Sequence, residues 1–146
     1  SDFPTCQGQW WPAAMDFAHA FTVRRELGVT ASGSFLPFAA LTAIHVVHRV
    51  AAVVVLAAMA ALAWRLHASG DATLRRFAIG LAAVGAWQLA TGLSNVVLGW
   101  PLVAAVAHTG GAAVLTVLLA SLLARVHLRS ATAPRRAAAN AQPFNA

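Results

Sequence analysis

The stretch FLPFAALTAIHVVHRVAAVVVLAAMAALAWRL, from Phe35 to Leu66, decides the fold. It exceeds the roughly 20 residues that a helix needs to cross a bilayer. Ala, Leu and Val dominate it and no polar–apolar alternation runs through it, which predicts a helix rather than a strand. Pro37 falls in its opening turn, where a missing N–H costs little. Two further apolar runs follow, from about Leu74 to Trp100 and from Leu102 to about Val126. Three spanning helices are therefore expected, at about 35–66, 74–100 and 102–126.

Composition agrees. Of 146 residues, 60% are hydrophobic and only 10% charged, where a soluble domain is nearer half apolar and a quarter charged. The expected class is an all-α membrane protein with one bundle in contact with the lipid bilayer. The formal charge of +6 does not point to nucleic acid. There is no lysine, and the arginines sit mostly at the ends of apolar runs, where orientation signals belong. Arg65, Arg75 and Arg76 bracket the first inter-helix loop, and Arg125, Arg129, Arg135 and Arg136 follow the third run. The loop around Gly99-Trp100-Pro101 has none. By the positive-inside rule the first loop and the C-terminus are expected in the cytoplasm and the N-terminal segment outside, despite Arg24 and Arg25.

Residues 1–34 are polar and mixed, broken by Pro4, Gly8, Pro12, Gly28 and Gly33. A short interfacial helix is expected between Pro12 and Leu27, started by Asp16, with Trp10, Trp11, Phe17 and Phe21 on its apolar side. Residues 35–128 make the transmembrane domain. Residues 129–146, rich in Ala, Pro and Arg, are expected to be a disordered cytoplasmic tail. The single cysteine, Cys6, has no partner within the sequence.

Ionisable side chains inside membrane helices point to function by default. Here they are His45, His48 and Arg49 on the first span and His108 on the third. His19, His67 and His127 fall in loops or at helix ends and read as solvated. The first and third spans run in the same direction, so both histidine sets lie about 10–18 Å below the same ends at 1.5 Å per residue. Facing histidines at one depth suit a haem, whose iron takes a neutral imidazole from each side. His45 and His48 are three apart and share a face, so only one need ligate. Arg49 is a candidate for a haem propionate. Gly110, Gly111, Ala112 and Ala113 leave space for a flat macrocycle, and Gly92 and Gly99 do the same or allow close packing. Gln88, Thr91, Ser94 and Asn95 form a polar stripe that reads as interhelical hydrogen bonding or as a pocket lining. The competing reading takes the histidines themselves as interhelical glue. No phosphate loop, nucleophile elbow or zinc spacing occurs, and the spans hold no carboxylate for ion pumping.

The run Leu89-Ala90-Thr91-Gly92-Leu93-Ser94-Asn95-Val96-Val97-Leu98-Gly99-Trp100-Pro101 resembles the haem A synthase family of cytochrome oxidase assembly. So do Ala107-His108-Thr109-Gly110-Gly111-Ala112-Ala113, the His48-Arg49 pair, and the opening Asp2-Phe3-Pro4-Thr5-Cys6-Gln7-Gly8-Gln9-Trp10-Trp11-Pro12. The resemblance covers residues 1 to about 128. It implies a bacterial inner-membrane oxidoreductase of eight helices in two four-helix halves, which oxidises a methyl group of haem O to the formyl group of haem A. This chain matches the C-terminal half, the one that holds a b-type haem, and would supply three of its four helices. The catalytic half and the haem O substrate would belong to a preceding part, so the chain alone would not be catalytic. The resemblance implies His48 and His108 as axial ligands, with His45 in reserve. It makes Cys6 one half of a periplasmic cysteine pair whose partner would precede Ser1. Haem O synthase and a second copy of the chain are candidate partners. The alternatives are a succinate dehydrogenase-type cytochrome b anchor, which the second-helix run fits less well, and a membrane helical protein without cofactor.

Overall fold

The computed structural model describes residues 3–6, 8–24, 26 and 28–140, with side chains described as far as residue 130. Four helices follow in order: α1 (Phe17–Ala20), α2 (Phe38–Ala68), α3 (Ala72–Val97) and α4 (Leu102–Asn140). Among the described residues no strand forms beyond two isolated bridges, Cys6 with Gln9 and Val29 with Phe35. Helices α2, α3 and the part of α4 from Leu102 to Ser130 are each long and apolar enough to cross a membrane. The expected three-span, all-α architecture is the one observed.

Each boundary has a local cause. Pro37, with φ −57° and ψ 144°, is the residue before α2. Ser69 ends that helix, its Oγ donating to Leu66 O at 2.7 Å. Gly70 then turns the chain with φ +75°, a region open to glycine at little steric cost. Asp71 caps α3 by accepting from Thr73 N at 2.7 Å and Leu74 N at 3.0 Å. Helix α3 stops at Val97, three residues before the expected end. Trp100 N donates back to Asn95 O at 2.8 Å, the six-to-one bond of a Schellman ending. Gly99 and Trp100 both take positive φ, 69° and 64°, and Pro101 disfavours a helical residue before it.

Two elements differ in extent from expectation. The N-terminal helix is a single turn rather than the span from Pro12 to Leu27. Asp16 does start it, accepting from His19 N at 3.0 Å. The Asp16 carboxyl is held below its ordinary range by that backbone bond and by the His19 ring at 2.6 Å. Beyond Phe21 the β-branched pair Thr22-Val23 does not extend the helix, and residue 27 lies outside the described residues. Trp10 and Trp11 stay in the preceding loop, whereas Phe17 and Phe21 stack with centroids 6.5 Å apart. At the other end, α4 continues to Asn140 where an irregular tail was expected from residue 129. The alanines at 131, 133 and 137–139 and the arginines at 135 and 136 are strong helix formers. Residues 141–146 lie outside the described residues.

Helix α3 is the centre of the bundle. Helices α2 and α4 both pack on it, and their backbones do not pack on each other. Small residues let the axes approach: Gly85 faces Met59 and Leu56, Gly80 faces Leu118, and Gly111 faces Trp87 and Gln88. Leu81 is the one large side chain fully buried among the described residues. Most valines and leucines of the spans stay exposed on the protein surface, as expected where lipid replaces water. Helix α1 docks on the start of α2 through Ala20, Ala40 and Ala43, with Asp16 N donating to Ala39 O at 3.1 Å.

Candidate functional site

The backbones of α2 and α4 flank α3 without packing on each other, and a cleft lies between them. His48 on α2 and His108 on α4 enter it from opposite sides. Their ring centroids are 6.4 Å apart and their planes are inclined by 72°. Two cavities meet at this pair. One, of about 510 Å³, extends towards the Trp100 end and is lined by Cys6, Phe38, Thr42, His45 and Trp100 besides the two histidines. The other, of about 340 Å³, extends towards the arginine-bearing end past Ala52, Leu56, Met59 and Leu115. Both fall in the size range of ligand pockets, about 300–1,000 Å³.

His108 is oriented from α3. Its Nδ1 lies 3.1 Å from Thr91 Oγ1. The Thr91 hydroxyl has a backbone acceptor of its own in Trp87 O at 2.8 Å. Its oxygen is thus able to accept from Nδ1–H, which leaves the lone pair on Nε2. Gln88, in the amide orientation that satisfies its neighbours, donates to His108 O at 2.9 Å and accepts from Ala112 N at 2.9 Å, with its nitrogen 3.2 Å from Nδ1. Nδ1 can donate to Thr91 Oγ1 or accept from the Gln88 amide but not both, and it is the first arrangement that leaves the Nε2 lone pair for a ligand. Gly92 makes room for the ring: a Cβ there would sit 3.1 Å from His108 Cε1. This is the outer-sphere support that metal-ligating histidines ordinarily have.

The separation of the pair carries chemical meaning. A metal–imidazole bond of about 2.0–2.1 Å, with about 1.1 Å from nitrogen to ring centre, puts two imidazoles on one ion about 6.3 Å apart. The observed 6.4 Å fits that arrangement. Among the described residues no group of three or more His, Cys, Asp or Glu is placed to hold a bare metal ion. The two cavities open on either side of the pair.

The other expected site residues are placed differently. His45 is half-buried one turn from His48 and lines only the larger cavity. Arg49 does not line either cavity; its Nη1 donates to Pro4 O at 3.2 Å and Thr5 O at 3.0 Å. Its guanidinium serves carbonyls of the N-terminal segment through Nη1. Of the small residues, Gly111 serves helix packing, since a Cβ there would come within 2.7 Å of Trp87 Cδ1. Gly99 serves the turn. Cys6 reaches the cavity by tertiary folding alone and is buried as a free thiol. Trp100, which takes a positive φ, lines the larger cavity, a role its place in the Gly99-Trp100-Pro101 motif does not reveal. Asn95 is buried, and its Oδ1 has no hydrogen-bond partner among the described residues.

A multi-pass helical membrane protein with a paired-histidine cleft is the class that this fold and site define. Within that class, residues 1–120 match the COX15-CtaA family of cytochrome oxidase assembly proteins, and the chain belongs to it. It is 32% identical over 119 residues to the heme A synthase of Shewanella oneidensis, an alignment covering 82% of this chain and 35% of that protein. The chain thus spans about a third of the length of the curated relative it matches. No solved structure matches it.

Proposed function

We propose that this chain is the haem-holding half of a haem A synthase, with a b-type haem between His48 and His108. The observation that carries the reading is the 6.4 Å separation of two imidazoles at the meeting point of two cavities. When bound, the group would supply reversible one-electron iron chemistry, with His48 and His108 as the residues that would hold it. The residues do the rest. Thr91 and Gln88 fix the His108 ring, Gly92 admits it, and the α2 wall presents His48. The linings of the two cavities around the pair are largely apolar. Oxidation of the haem O methyl group to a formyl group is assigned to the complete enzyme, whose length is about three times that of the matched stretch. The arginines at 65, 75, 76, 125 and 129 gather at one end of the bundle, which supports a cytoplasmic placement for that end and a periplasmic one for the N-terminal segment.

The test is a set of reduced-minus-oxidised visible spectra on the chain purified in detergent. Sharp low-spin b-type bands are expected in the parent and in His45→Ala, with loss in His48→Ala and in His108→Ala. Bands that survive both of the latter changes would overturn the assignment. Thr91→Val is expected to keep the bands and weaken haem affinity by about 10–100-fold, as loss of an outer-sphere partner does.

A further inference from the structure

Arg49 lies eleven residues into α2, about 16 Å from the Phe38 end at 1.5 Å per residue. At that depth an ionisable side chain pairs with another charge or with backbone carbonyls. Here the carbonyls come from irregular chain 44 and 45 residues away, Thr5 and Pro4. The demand runs in both directions. Non-helical backbone at membrane depth is tolerated only where protein satisfies it, and charge-assisted hydrogen bonds are the strong ones. The next residue is Cys6, which is 5% exposed. It exchanges two backbone hydrogen bonds with Gln9, at 2.8 and 3.2 Å, and so closes a tight turn. Its side chain walls the cavity that holds His45, His48 and His108.

We propose that Arg49 is a latch that holds residues 4–6 against α2, so that Cys6 closes one wall of the histidine cavity. Arg49 is thus a positioning residue for the N-terminal segment. The proposal rests on the haem reading only for what the cavity contains; the latch itself is a statement about the protein.

Cys6 is the single cysteine of the chain and reports directly. The haem-free chain is reconstituted in liposomes and treated with a membrane-impermeant maleimide, and the labelling rate of Cys6 is compared with that of the same chain unfolded in detergent. The parent is expected to label at least tenfold more slowly than the unfolded chain. Arg49→Leu is expected to bring the rate at least tenfold closer to it, and Arg49→Lys, which keeps a cationic donor, to restore most of the protection. Circular dichroism on each variant reads helix content. A parent that labels as fast as the unfolded chain overturns the proposal without any variant, and so do equal rates in parent and Arg49→Leu at equal helix content. If Arg49→Leu does not assemble, Arg49→Gln against Arg49→Lys gives the same comparison, with equal protection in both counting against a charged latch. Since labelling is read without haem, its outcome is separate from the spectra that test ligation.

Discussion

Two adjacent glycines show how much one methyl group decides in this bundle. Gly110 and Gly111 sit side by side on α4, yet a Cβ at Gly110 meets nothing within 4 Å. A Cβ at Gly111 would meet Trp87 Cδ1 at 2.7 Å and the Gln88 side-chain amide at 2.9 Å. Trp87 cannot move freely, because its Nε1 donates to Ala107 O at 3.0 Å. Gly111→Ala is therefore expected to destabilise the α3–α4 pair by about 1–3 kcal/mol, the ordinary cost of overpacking. Gly110→Ala is expected to be neutral or stabilising by up to about 1 kcal/mol, from helix propensity alone. Thermal unfolding in detergent separates the two, and equal effects would remove the packing argument. From sequence, both glycines read as room for a macrocycle. The dipeptide shows that small residues are needed on this face, but not which neighbour needs the space. The histidines were more legible, because depth follows from counting residues along two helices that run in the same direction. The choice between His45 and His48 was less so. One turn separates them, and only the packing of α2 on α3 shows which ring faces His108. The partner of Arg49 was hidden altogether, since the acceptors are main-chain carbonyls, which leave no mark in side-chain identity.

At the scale of elements, Asp71 joins three helices. It follows the turn after α2, caps α3 through Thr73 N and Leu74 N, and pairs with Arg129 of α4 at 2.7 Å. The Arg129 hydrogen bond, ahead of the backbone N–H groups, holds its carboxyl down at about 2, against an ordinary 3.8. A carboxyl lowered on folding contributes stability above its unfolded pKa and loses it as pH falls towards the folded value. The contribution of Asp71 is thus expected to be full above about pH 5, to fade below 3.8 and to vanish below 2. Asp71→Ala should lower the unfolding temperature at pH 7, and its difference from the parent should shrink as pH falls from 3.8 through 2. A difference that does not change with pH would show that the charge has no part in it. The site is half exposed to solvent, so the effect is modest. The spans were legible from apolar length, whereas their ends were not. The last turn of α3 is removed by the backbone demands of Gly99-Trp100-Pro101, and α4 is extended by an alanine-rich stretch whose composition also reads as disorder.

At the scale of the molecule, the arrangement of the spans bears directly on the site. The backbones of α2 and α4 pack on α3 and not on each other, and the His48–His108 ring pair joins the two walls across the cleft. The histidine pair is the place where the two walls come nearest to a shared function, and a group ligated by both rings would tie them more firmly than the ring pair alone. Any ligand that binds the folded state stabilises it by RT ln(1 + [L]/Kd), about 2.7 kcal/mol at a hundredfold excess over Kd. Haemin titrated into the detergent-purified chain is therefore expected to raise its unfolding temperature in a saturable way, and the His48→Ala/His108→Ala double variant is expected not to respond. The single variants should each lose most of the effect, because one imidazole secures the ligand to one wall only and leaves α2 and α4 as independent as before. An equal rise in the parent and the double variant would mean that haemin binds elsewhere on the apolar surface, and the cleft between α2 and α4 would then be a gap in the packing rather than a site.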